Sequence, residues 1–508
     1  MDHHSPYDTY TSPLATRNAS DAMLRLWSPR HKFNTWRRIW LAVAEAQHEL
    51  TKDAPAPLVT KEQLEELRAV VNKPGGITDA EIKLAEKYER DLRHDVMAHV
   101  HALGDSCPKA KGIIHLGMTS QDVVCNADKL VQFDAVDLLS LKVRRLIVSL
   151  GTFARCYAAI PTLSFTHYQP AQPTTIGRRA AGWANDLQLC TFRLEDHEAS
   201  GAFLRGFKGA TGTQASFLAL FGGDADKVDA FEVFAATKLE RTPIPGGTVA
   251  RLSNQTYPRV EDCFLLSDLA STAAVLHKIA TDIRLLCNRK EIDEPFETKQ
   301  IGSSAMPYKR NPMRCERICG LARFVMNLVG NAYDTAATQW LERTLDDSSN
   351  RRLSLPEAFL ALDGALDLMH NVASGLIVHE AMVRKNLMAE LPFMATENIM
   401  MACVKLGGDR QEYHEIIRVH AQAAGSRVKD EGQDNDLLDR LKADKHFWST
   451  KRGGPLREEL DWDNLLDPMK YIGRSIEQTE RFIKEVVEPL REQYKDELAK
   501  LEESSPKV

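Results

Sequence analysis
Residues 301–312 read IGSSAMPYKRNP, and their side chains suit proton abstraction beside an anion. Ser303 and Ser304 offer hydroxyls, Lys309 and Arg310 offer positive charge, and Asn311 offers an amide donor. Gly302 frees the backbone before the serines, while Pro307 and Pro312 keep the stretch out of a helix. A loop of this composition can close over an anionic ligand, and it can equally be a solvated link between helices. His167, in THYQPAQ, carries the side chain best suited to donating a proton near neutral pH. It also lies just before a helix that Pro173 would start, where a histidine can simply hydrogen-bond in the entry turn.

Other polar islands add to these. ERTLDDSSNRR, residues 342–352, holds Arg343, Arg351 and Arg352, whose guanidinium forks fit carboxylates and phosphates. Asp346 and Asp347 can instead occupy those arginines as structural ion pairs. RHDVMAHVH, residues 93–101, brings His94, His99 and His101 together, but no HExxH pattern accompanies them and no metal is expected. Asp95 in that segment can polarise a neighbour or cap a helix. HLGMTSQD, residues 115–122, adds hydroxyls. GFKGATGTQASF, residues 206–217, has the glycines of a backbone anion nest. GxGxxG and GxxxxGK[ST] are both absent, so no nucleotide-cofactor loop competes.

Composition narrows the setting. The net charge is −6 over 508 residues, so no global basic field favours nucleic acid or an anionic membrane. The nine cysteines form no CxxC pair, which points to free thiols in a reducing, cytoplasmic compartment. The polar start MDHHSPYDTYTSP has no apolar core of a secretory leader, and no run of about 18 apolar residues predicts a membrane span.

The elements that must position these islands are helical. From Ser120 to Ile160 there is no proline and only Gly151, and Leu130, Phe133, Val136, Leu139, Val143, Leu146, Leu150 and Phe153 recur every three or four residues. Forty helical residues span about 60 Å. A second such stretch lies between Pro258 and Pro295, and residues 174–205, 313–340 and 354–376 also read as helical. The expected fold is all-α: an elongated central bundle, residues 120–378, flanked by smaller helical domains at 1–119 and 379–508. Segments near residues 55 and 453 read as surface insertions, and the charged tail as frayed.

Taken together, GSSAMPYKRNP, RHDVMAHVH, THYQPAQ, GTQASF and ERTLDDSSNRR resemble the adenylosuccinate lyase family of the fumarase/aspartase superfamily, in its eukaryotic form. The resemblance runs from SPLATR at residue 12 to GGDRQEYHEIIR at residue 407. It implies cleavage of fumarate from adenylosuccinate, and from the succinyl-carboxamide ribotide of purine synthesis. It implies a homotetramer whose active sites are shared between subunits, small-molecule nucleotide substrates and no cofactor. Ser303 would be the base and His167 the acid, with Lys309 and His94 assisting them. Arg17, Asn18, Arg93, His94, Asp95, Thr119, Ser120, Gln255, Asn311, Arg317, Arg343, Ser348 and Arg352 would bind substrate. Asn18 departs from the tyrosine usual at its position. The alternatives are another fumarate-releasing lyase, such as an argininosuccinate lyase or a fumarase, and a non-catalytic scaffold on the same fold.

Overall fold
A computed structural model describes residues 7–199, 203–239, 249–447 and 460–501. The segment near 453 and the last seven residues lie outside the described residues. The N-terminal region is led by helix α1, Pro29–Thr51, and helix α2, Asp95–Ser106. Long helices form the centre: α3, Ser120–Cys156; α4, Ile176–Ala199; α5, Val260–Asn288; α6, Met313–Ala337; and α7, Asp346–Ser374. The C-terminal region is again helical and includes α8, Ser475–Phe482.

The helical stripe of α3 is buried as its spacing predicts, but it serves two cores. Val136, Leu139, Val143, Leu146, Leu150 and Phe153 join the bundle core with α5, α6 and α7. Leu130 and Phe133, nearer its start, pack on a separate cluster built around Trp36, Trp40 and Phe231. A third cluster around Ile399, Tyr413 and Phe447 holds the C-terminal region together. Each fully buried leucine or phenylalanine contributes about 1.5–3 kcal/mol, so these stripes dominate the stabilisation. Helix α5 is long and apolar enough to cross a bilayer, but Leu265, Leu269, Leu276, Ile279 and Ile283 spend that apolarity inside the bundle.

Cross-helix contacts fix the directions. Asp128 on α3 meets Arg351 on α7 at 3.0 Å, and farther along Ser149 meets His370 at 3.0 Å, so α3 and α7 run parallel. Asp262 at the start of α5 also meets Arg351, at 2.7 Å. Helix α6 runs the other way: Cys319 near its start approaches Thr281 late in α5, and Asn331 near its end bonds Asn350 early in α7. One end of the bundle therefore gathers the starts of α3, α5 and α7. The other gathers their ends, with the loop that enters α6.

Two expectations change in the structure. THYQPAQ is not a helix entry but a hairpin, with strand β1, Pro161–Thr166, paired antiparallel to β2, Gln169–Thr175. Pro173 sits inside β2, and α4 starts only at Ile176. Three prolines and several threonines between helices supply extended backbone, a pattern that helical periodicity does not capture. Helix α7 also begins earlier than its apolar pattern, at Asp346, and carries Pro356 within it.

Candidate active site
Most of the sequence-selected residues fall into two groups, one at each end of the bundle. The first collects where α3 and α7 begin. His94 caps α2, its Nδ1 accepting from the Met97 amide at 3.3 Å. A neutral His94 therefore carries its proton on Nε2, which lies 3.2 Å from Ser120 Oγ. Asp95 accepts from Arg352 at 2.7 Å, which ties the start of α2 to α7. Burial raises the Asp95 pKa, but Arg352 and Lys32 outweigh it and hold the carboxyl below its usual range. Thr119 donates its amide to Asp122 at 2.7 Å and so caps α3, while Arg93 sits exposed in the left-handed region at φ 53°.

One turn from Arg352, Ser348 accepts from Arg343 at 3.3 Å. Arg343 also reaches Gln255 Oε1 at 3.0 Å and Asp347 at 3.3 Å. Gln255 in turn donates to the Ala210 carbonyl at 2.9 Å. Behind this polar face stands a buried ionic layer. Arg259 clasps Asp347 at 2.6 and 2.8 Å, and Arg351 holds Asp262, Asp128 and the Tyr257 hydroxyl. Arg351 is thus a buried structural tie, while Arg343 and Arg352, each also paired with a carboxylate, border the open face. The glycine-rich nest at 206–212 has an anion of its own, because the amides of Lys208 and Gly209 bind Asp122 Oδ1 at 3.0 and 3.1 Å. Arg205 completes that pair, with both side chains fully buried.

Sequence reasoning missed Lys32 and Gln121. Lys32 lines a cavity of about 190 Å³ with Ser348 and Arg352, and burial together with Arg352 pushes its pKa down. Its motif, PRHKF, carries no signal beyond amphipathic helix spacing. With its amide oxygen turned toward Arg343, Gln121 accepts from both terminal nitrogens at 3.0 and 3.1 Å. Its place in HLGMTSQD was the available clue.

The second group lies at the far end. Ser303 Oγ accepts from the Met306 amide at 3.2 Å, and Asn311 donates to the Gly302 carbonyl at 2.9 Å. Gly302 is required by a close approach, because a Cβ there would lie 2.1 Å from the Lys309 carbonyl. Ser304 to Arg310 are exposed, Lys309 included. His167 and Tyr168 form the hairpin tip with φ of 53° and 56°, a turn normally given to asparagine and glycine. Two bulky residues in that region are strained by about 1–2 kcal/mol each, and strain of this kind accompanies functional placement.

Part-way along the bundle, Arg17 lies in a short turn at Leu14–Asn18 that packs on α7. Burial first, and then the nearby Arg17 charge, lower the Arg317 pKa. Asn18 turns its amide back onto the Pro13 carbonyl at 3.0 Å, and its backbone presses against Gly364. Among the described residues no group of three or more His, Cys, Asp or Glu side chains is placed to hold a metal ion. Cys315 and Cys319 are buried free thiols.

Comparison with known proteins decides the family. The family model described as Lyase matches residues 15–327, and Adenylosuccinate lyase C-terminus matches residues 392–482. Adenylosuccinate lyase of Saccharomyces cerevisiae is 48% identical, covering 97% of this chain and 99% of its own. The chain belongs to the adenylosuccinate lyase family. The Schizosaccharomyces pombe adenylosuccinate lyase is 50% identical over 94% of each chain. Among solved structures, 3-carboxy-cis,cis-muconate lactonizing enzyme from Pseudomonas putida superposes with a TM-score of 0.76 at 24% identity, covering 94% of this chain and 99% of its own. Fumarate lyase from Mesorhizobium sp. BNC1 gives 0.75 at 22% identity, covering 94% and 100%. At such identities these two share the fold.

Proposed function
We propose that this protein cleaves adenylosuccinate to AMP and fumarate, and cleaves the succinyl-carboxamide ribotide in the same way. The observation that carries this reading is the 48% identity to the S. cerevisiae adenylosuccinate lyase over nearly the whole chain. The chemistry is a β-elimination. A base takes a proton from the succinyl carbon beside a carboxylate. The carbanion's electron pair forms the new double bond, the C–N bond breaks, and an acid protonates the departing nitrogen. Ser303 is assigned as the base and His167 as the acid. A serine hydroxyl is a weak base, and each pKa unit of correction is worth about 1.4 kcal/mol. Lys309 and the loop amides would favour the alkoxide once the loop closes and excludes water.

The first group fits the nucleotide part of the substrate. Arg343, Ser348 and Arg352 present donors to a phosphate, and Ser120 with His94 can reach a succinyl carboxylate. Arg17 with Arg317 offers paired positive charge for a second anionic group. Helix α5 alone, with 29 residues, sets the two bundle ends about 40 Å apart. A substrate of this size cannot bridge that gap within one chain. The exposed serine loop and hairpin tip therefore act on sites completed by other subunits, which supports a homotetramer.

Incubating the purified protein with adenylosuccinate tests the reaction, with AMP and fumarate followed by chromatography. Stoichiometric formation of both is expected. Turnover of argininosuccinate or malate instead would overturn the assignment. Mixing inactive Ser303→Ala and Arg343→Gln proteins tests the shared site. Subunit exchange should restore part of the activity, and none after verified exchange would refute it.

A further inference from the structure
A cavity of about 890 Å³ opens between the stem of the β1–β2 hairpin, the start of α4, the end of α5 and α8. Arg178, Arg179, Lys278 and Arg289 line it against one acid, Asp282. That acid is already engaged by Lys278 at 2.5 Å and by the Trp183 indole at 2.8 Å. Arg178 bonds only a neutral amide oxygen on that side, Gln478 Oε1 at 2.8 Å. Arg289 reaches Glu291 at 3.0 Å, outside the lining.

Arg179 is the least satisfied of the four. Its Nη2 donates to the Leu163 carbonyl, but its Nη1 is buried with no partner. Burial holds its pKa below the usual value, with Glu291 and Asp282 offsetting that only in part. That nitrogen is closed off even from water, so an anion entering the cavity meets instead Lys278 and the terminal nitrogens of Arg178, the latter without a partner among the described residues. Phosphate alone would leave most of the volume empty, which falls within the range of small-molecule sites. Tyr168, exposed on the wall, offers surface to a planar ring, while Phe165 beside it is already covered by the Arg289 guanidinium 4.7 Å from its centroid. His167 is not part of the lining, and the group around Arg343 lies at the opposite end of the bundle.

We propose that this cavity is a second anion site, binding an organic phosphate through Arg178 and Lys278 with its ring portion against Tyr168. It uses none of the residues assigned to the lyase reaction, although Tyr168 shares the hairpin tip with His167, and it does not depend on that reading.

Calorimetric titration of the full-length protein with AMP and with inorganic phosphate provides the test. An Arg343→Gln/Arg352→Gln background first removes the other phosphate-binding group. One AMP per chain should still bind, and more tightly than inorganic phosphate. Adding Arg178→Gln and Lys278→Gln should weaken that binding by about tenfold or more. Lys278→Glu alone, at an exposed position, gives a charge reversal that leaves the fold intact and should weaken it as well. No binding in the Arg343/Arg352 background would overturn the proposal, as would affinity unchanged by either cavity variant. Equal affinity for AMP and phosphate would overturn the role given to Tyr168.

Discussion

The two ends of the bundle are built on opposite principles. At the end where α3, α5 and α7 begin, the polar face rests on buried ions: Asp122 with Arg205, Asp347 with Arg259, and Asp262 with Arg351. Every carboxylate there has several donors, so Arg343 and Ser348 are held before any ligand arrives. At the opposite end, Ser303 and His167 sit on a loop and a hairpin tip that face outward, and the buried carboxylates there do not brace either side chain: Glu294 ties the base of the loop to the start of α6, and Glu291 holds Arg289. The closed end suits recognition of a rigid, charged nucleotide, which rewards preorganisation. The open end suits chemistry that must admit substrate and then exclude water. Stability and catalysis should accordingly separate in space.

The sharpest break in that contrast comes from the open end. Ser303→Ala and His167→Ala should each lower kcat by about 10²–10⁴-fold, the range for loss of an acid or base. Neither side chain has buried partners, so the melting temperature of each variant should match the parent. Steady-state turnover and calorimetry on the same preparations check both halves. Near-normal turnover would remove that residue from its assigned role, and a large drop in melting temperature would break the comparison itself.

At the closed end the expected order reverses. Asp347→Ala leaves Arg259 and Arg343 facing each other without their shared carboxylate. Breaking a buried pair in this way costs about 3–5 kcal/mol. Chemical denaturation should show that loss in the midpoint, and activity should fall as well because Arg343 loses its brace. A stable but inactive Asp347→Ala protein would mean that the ionic layer orients Arg343 without supporting the fold.

The same contrast explains what could be read in advance. The bundle was legible because α3 and α5 must bury one face over many turns, and burial imprints a period of three to four on Leu139, Leu146, Leu276 and Ile283. The hairpin was not, because PTLSFTHYQPAQPTT is too short and too proline-rich to show strand alternation, and a threonine run also fits a helix entry. The serine loop and ERTLDDSSNRR stood out by composition, yet composition could not tell Arg351, a buried tie, from Arg352, a group at the open face. That distinction depends on which side of α7 meets Asp262, a contact made across 89 residues of sequence. Lys32 was invisible for the same reason, since its neighbours Ser348 and Arg352 come from the far side of the chain.

A smaller effect per residue should come from pH, again at the closed end. His99 is stacked on Phe33 with centroids 3.7 Å apart, and burial pushes its pKa down from the usual 6.5 to about 4. His115 accepts the Trp40 indole proton on Nδ1 at 3.1 Å and is likewise pushed by burial to about 4. Both rings are neutral in the folded protein, whereas the unfolded chain takes up their protons below pH 6.5. Stability from these two rings is therefore complete above pH 6.5 and is lost progressively as the pH falls toward 4. By about pH 5 each would have lost about 2 kcal/mol. Denaturation midpoints measured from neutral to mildly acid pH should show this decline. His99→Gln should flatten part of it, because glutamine has no proton to gain. An equally steep decline in the variant would transfer the effect to the buried carboxylates of the ionic layer, and would make those pairs the acid-sensitive feature of the closed end.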